Sequence, residues 1–197
     1  MVKVPLFEPP AVSPQMYEYL QGAPLQLPTL QREEVLAHIA TGYSPRETGS
    51  LTYRSRGTVR NMQMDIAANL GVENSLSNLA IAAHASGWYD ERGADLALGP
   101  GPYDSIHLQV GLLLLVDRET EVLALRSAGL NPKSAAAIMG ITNKTFKNYQ
   151  MYIYKKLLGK HEGADRSMHT VIAALWLGGL VELEPVHTTH EPIGNYS

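Results

Sequence analysis

Apolar side chains recur along this chain at helical spacing, in two blocks that echo each other. In the first block Val35, Leu36 and Ile39 line one helix face, and Gly42 stops that helix. The pattern predicts a short second helix from about Pro45 to Leu51, with the proline in its first turn. A third helix begins near Ser55, a good N-cap, and runs through Val59, Met62 and Ile66 to Leu70. Leu76, Leu79, Ala80 and Ala83 mark a fourth, ended by Gly87. The second block repeats the scheme over Asp117–Ser127, Lys133–Met139, Thr142–Leu158 and Met168–Leu177.

The echo extends to residue identities. Glu34-Val35-Leu36-Ala37 falls on Glu121-Val122-Leu123-Ala124, 87 positions later. Gly42 falls on Gly129, Pro45 on Pro132, Arg46 on Lys133, Thr58 on Thr145 and Arg60 on Lys147. A repeat of this kind divides the chain into two small helical units. The expected organisation is a proline-rich arm over residues 1–26, with a short helix near Pro14–Gln21. Copy one follows at 27–88, a linker at 89–111, copy two at 112–183 and a loose polar tail at 184–197. The linker contains Gly99-Pro100-Gly101-Pro102, which continues neither helix nor strand. The expected fold class is all-α, two small four-helix domains in tandem.

Two short helices joined by a tight turn, the second longer and polar on one face, form a helix-turn-helix. A major groove about 12 Å wide admits one such helix. The expected recognition helices are about 55–70 and 142–158. From the first, Arg54, Arg56, Thr58, Arg60, Asn61 and Gln63 are candidates for contact with DNA; from the second, Lys144, Thr145, Lys147, Asn148, Gln150 and Lys155, with Asn143 beside them. Arginine and lysine suit guanine O6 and N7, asparagine and glutamine suit adenine N6 and N7, and threonine hydroxyls near a helix start suit phosphate.

The net charge of −3 fits a DNA-binding protein only once it is divided. Residues 89–111 hold one basic and four acidic side chains, whereas 112–197 hold nine and eight. Within 142–160 stand five lysines (Lys144, Lys147, Lys155, Lys156, Lys160) and no acid. Phosphate contacts are made by one face, so local charge outweighs the total.

At these residues the chain resembles the LuxR/GerE-type helix-turn-helix proteins. Copy one carries the resemblance at Glu34-Val35-Leu36, Ile39-Ala40, Gly42, Ser44, Arg46-Glu47, Ser55, Gly57-Thr58-Val59-Arg60-Asn61 and Leu70-Gly71-Val72. Copy two carries it at Arg118, Glu121-Val122-Leu123, Gly129, Lys133, Thr145, Lys147-Asn148 and Leu157. The resemblance implies four-helix DNA-binding domains in a transcription regulator. It directs Arg60, Asn61 and Met64, with Lys147, Asn148 and Met151, toward bases or phosphates. It also implies a pairing contact through the fourth helices. The candidates there are Leu76, Leu79, Ala80 and Ala83, opposite Val171, Ile172, Leu175 and Trp176. Departures include Thr48 where the pattern is apolar, Lys144 for the usual glycine, and Asp65 on the first recognition helix.

The fourth helix of copy two is apolar nearly all round, so it needs a cover. Either it packs on its counterpart within the chain, giving a monomeric pseudo-dimer, or it joins two chains as a homodimer. Double-stranded DNA is the expected partner. RNA polymerase or another regulator is the partner under the competing reading, a non-catalytic interaction module built on the same scaffold. No cofactor is expected, and no nucleophile, base and orienting group stand at interpretable spacing, so an enzyme is not expected. His187 and His190 form at most an isolated pair in the tail, without a carboxylate framework for a metal. The chain has no cysteine, which fits a reducing cytoplasm. Its longest apolar run, Val110 to Val116, is far short of the ~20 residues of a membrane helix. A cytoplasmic location is the expectation.

Overall fold

The computed structural model describes residues 1–9, 11–99, 101–159 and 168–185. Helices dominate. Strand β1 (Val2–Leu6) and helix α1 (Pro14–Leu20) lead into α2 (Leu30–Ala40), α3 (Pro45–Leu51), α4 (Arg56–Leu70) and α5 (Leu76–Ala85). A wide helical turn over Tyr89–Gly93 runs into α6 (Ala94–Leu96), and α7 (Ser105–Leu113) follows. The second set is α8 (Asp117–Ser127), α9 (Pro132–Ile138), α10 (Asn143–Leu157) and α11 (Met168–Leu177), closed by strand β2 (Val181–Pro185).

Matching local chemistry starts matching helices. Ser44 caps α3 by accepting from the Glu47 amide, and Glu47 closes a capping box on the Ser44 amide at 2.8 Å. Asn131 caps α9, 87 residues on, through the Lys133 and Ser134 amides. Pro45 and Pro132 each occupy the first turn, where no intrahelical donor is needed.

The N-terminal stretch differs from the expectation of an arm, while the expected tail lies outside the described residues except for 184–185, the end of β2. Strand β1 pairs in parallel with β2, from Val2 opposite Val181 to Leu6 opposite Pro185, and packs on α8. Val2 and Val4 alternate inward and are buried, while Lys3 faces out to Glu184 at 2.5 Å. Met16 and Leu20 of α1 are also buried, with Met16 against Gly129. The stretch expected as a linker likewise contains α7, whose Leu108 is buried.

The two helical sets share one continuous apolar core. Its joint is α5 against α11. Leu79, Ala80, Ala83, Val171, Ile172 and Leu175 are fully buried there, with Leu76 and Trp176 half-buried at the margin. Two hydrogen bonds fasten the joint: Thr170 Oγ1 donates to the Gly42 carbonyl at 2.9 Å, and His169 Nε2 lies 3.2 Å from the Tyr43 carbonyl. On the other side Arg126 bridges the Leu130 carbonyl and Ser77 Oγ. Leu130 is the counterpart of Tyr43, so the joint is roughly mirrored between the sets.

Candidate nucleic-acid interface

Helices α3 and α4, and again α9 and α10, pack as pairs joined by a short turn. The longer helix of each pair starts on a hydroxyl cap. Ser55 Oγ accepts from the Thr58 amide at 3.0 Å, and Thr142 Oγ1 from the Thr145 amide at 3.1 Å. In both, the cap hydroxyl also stands 2.9 Å from the hydroxyl of that same threonine. These bonds hold Thr58 and Thr145 at the exposed N-terminus, where unpaired amides and the helix dipole favour an anion.

Each long helix turns one stripe inward. In α10 it is Phe146, Gln150, Ile153 and Leu157, spaced i, i+4, i+7, i+11. The same spacing in α4 gives Val59, Gln63, Ile66 and Leu70. Two expected DNA contacts therefore fall on the wrong face. Gln150 is buried, and Gln63 is half-buried with its amide donating to Asn74 Oδ1 at 2.9 Å. The period of the apolar residues, extended through the glutamines, carries that signal.

The outward faces differ in charge. On α10 Asn143, Lys144, Thr145, Lys147, Asn148, Met151, Tyr152 and Lys155 are exposed. Lys156 is drawn away: its ammonium lies 2.6 Å from the buried Glu119 and donates to the Leu114 carbonyl at 2.9 Å, tying the end of α10 to the start of α8. Lys160 lies outside the described residues. On α4 Arg56, Thr58, Arg60 and Asn61 are exposed. Arg54, expected to reach DNA, is instead half-buried and ion-paired with Glu34 of α2 at 2.7 Å. Asp65 is exposed on α4 and holds Arg32 at 2.9 Å. The face of α10 thus presents three lysines without an acid, and the face of α4 two arginines with one.

That uncompensated face lies within the segment that matches a known family model. Residues 113–162 match the family model of the bacterial regulatory proteins of the luxR family. The luxR-type segment runs from the end of α7 through α8, α9 and α10. No curated protein and no solved structure matches the chain. Copy one lies outside the matched residues, so the family match supports one luxR-type segment and not the expected second copy. Its departures lie inside the helix pair. Thr48 and Gly49 of α3 stand where the luxR-type segment has Ala135 and Ala136, and Tyr53 stands in the turn where it has Gly140. The Thr48 hydroxyl is buried without a hydrogen-bond partner.

Among the described residues, no group of His, Asp or Glu side chains could hold a metal ion. His187 and His190 lie outside them. No described helix is long and apolar enough to cross a membrane.

Proposed function

We propose that this chain is a cytoplasmic, sequence-specific DNA-binding transcription regulator whose main reading head is α10. One observation carries the reading: the luxR-type segment ends in a hydroxyl-capped helix whose outer face is basic and free of acids. Asn143 to Asn148 would enter the major groove. Lys144, Lys147 and Lys155 would meet phosphates, and Asn148 would be in range of a base edge. The amides at the start of α10, with Thr145, would add a phosphate clamp.

Copy one serves as a second, weaker head through Arg56, Thr58, Arg60 and Asn61. The α5–α11 joint then makes one chain hold two heads as a dimer would, with the second at high effective concentration. A different reading of copy one is favoured by Asp65 and by the engagement of Arg54 and Gln63 in contacts within the chain. On that reading α4 contacts a protein, such as a polymerase subunit or another regulator, while α10 holds the DNA.

Selection from a random duplex pool at ~0.15 M salt tests both. Two enriched elements at fixed spacing would support two reading heads. One short element would assign copy one to protein contact. No enrichment over background would overturn the DNA-binding reading.

A further inference from the structure

Helix α7 carries two apolar stripes, with the exposed polar side chains Ser105, His107 and Gln109 between them. Its inner face, Leu108 and Gly111, is pressed onto the end of α10, so closely that a side chain at Gly111 would collide with the Lys156 carbonyl and Leu157. The outer face carries Ile106, Val110, Leu113 and Leu114, spaced i, i+4, i+7, i+8, and these are 72%, 53%, 85% and 60% exposed. Val116, just beyond, is 57% exposed. The nine residues of α7 include no Asp, Glu, Lys or Arg. A surface helix of a single small protein should turn a polar face to water, and this one turns a leucine-rich stripe.

We infer that the outer face of α7 is where two copies of this chain associate, α7 against α7 about a twofold axis. A stripe at this spacing is self-complementary when two helices pack antiparallel. The absence of charge along it removes the repulsion that bringing two identical faces together usually meets. The five side chains expose on the order of 500 Å² per chain, so a twofold pairing that covered all of them would bury on the order of 1,000 Å², the lower bound of a specific interface. The joint that pairs α5 with α11 is already satisfied within the chain, so this second association needs no rearrangement of it. Because α7 rests on α10, the axis would stand beside the proposed reading head and set two copies of it in fixed relation. That consequence rests on the DNA-binding reading; the association does not.

Sedimentation of the full chain without DNA tests the inference directly. A concentration-dependent dimer is expected, with Val110→Glu weakening it at least about ten-fold while the circular dichroism stays unchanged. Should Val110→Glu misfold, the cysteine-free sequence allows a second measurement. Val110→Cys, at the middle of the stripe and so nearest the twofold axis, should give a disulfide-linked dimer under mild oxidation, and Asn69→Cys, exposed on α4, should not. A wild-type chain that stays monomeric at high micromolar concentration would overturn the inference. So would a dimer that Val110→Glu leaves intact, or equal cross-linking of both cysteine variants. Loss of DNA binding alone would count against the proposed function and leave this association standing.

Discussion

Tyr53 and Gly140 occupy the same place in the two helix pairs, 87 residues apart, and both have a left-handed backbone, with φ of 54° and 65°. The turn between the helices demands that conformation, which glycine adopts freely and a side chain resists by about 1–2 kcal/mol. Tyr53 is 98% exposed, so its ring gains no packing in return. Tyr53→Gly should therefore raise stability by up to about 1 kcal/mol, whereas Gly140→Ala, which would meet open space, should lower it by about 1–2 kcal/mol. Urea midpoints of the two variants check the pair. A destabilised Tyr53→Gly would show that the ring has a contact worth more than the strain.

The ion pair of Arg54 with Glu34 separates two arginines that the sequence presents as equivalent. Arg54→Ala should leave affinity for DNA unchanged, because its charge is engaged within the chain. Arg60→Ala should relax one base preference by about 1–3 kcal/mol if the side chain is bidentate to guanine. Lys147→Ala should weaken binding to all sequences and lower the slope of log affinity against log salt by about 0.9. Titrations at several salt concentrations read all three. An unchanged slope for Lys147→Ala would exclude a phosphate contact.

Local signals carried most of the fold. The expected bounds Asp117–Ser127 and Met168–Leu177 coincide with α8 and α11, because proline, cap residues and apolar period all act within one turn. The β1–β2 pairing joins residues nearly the full chain apart, and two valines in a proline-rich stretch do not announce it. Helix α7 was hidden by its neighbours, since Gly99 to Pro102 marks the stretch as a linker although Leu108 anchors it. At the candidate interface the exposed basic residues of α10 were legible from composition. Gln63 and Gln150 were misplaced because polarity outweighed period. The capture of Arg54 by Glu34 depends on how α2 lies beside α4, which no local pattern encodes.

Because α5 and α11 share the core, the two helical sets should unfold together. Leu175 is fully buried at their joint, and Leu175→Ala should cost about 2–5 kcal/mol. The chain has two tryptophans, Trp88 buried in copy one and Trp176 on α11. In a Trp176→Phe background the fluorescence of Trp88 reports copy one alone. Its transition should move to lower denaturant when Leu175→Ala is added, although residue 175 belongs to the other set. A Trp88 transition that stays in place would mean that the sets unfold independently.

Acid should loosen the chain through His84 of α5. Its Nε2 lies 2.8 Å from the Ala40 carbonyl of α2, and its ring stacks at a tilt 4.6 Å from Tyr89. Burial pushes its pKa below the ordinary 6.5, outweighing the opposing effects of the Ala40 carbonyl and of Asp90 nearby. The neutral ring, donating from Nε2, fits the site, whereas a second proton would have to be carried at the cost of desolvation. The unfolded chain therefore binds more protons than the folded one below pH 6.5, and stability falls as pH drops from there toward the lower folded value. The loss from this residue cannot exceed about 1.4 kcal/mol per pH unit. His84→Gln keeps a donor for Ala40 and removes the titration. Between pH 7.5 and pH 5.5, urea unfolding should show a smaller loss for His84→Gln than for the wild type. Equal losses in the two proteins would move the acid sensitivity to another group.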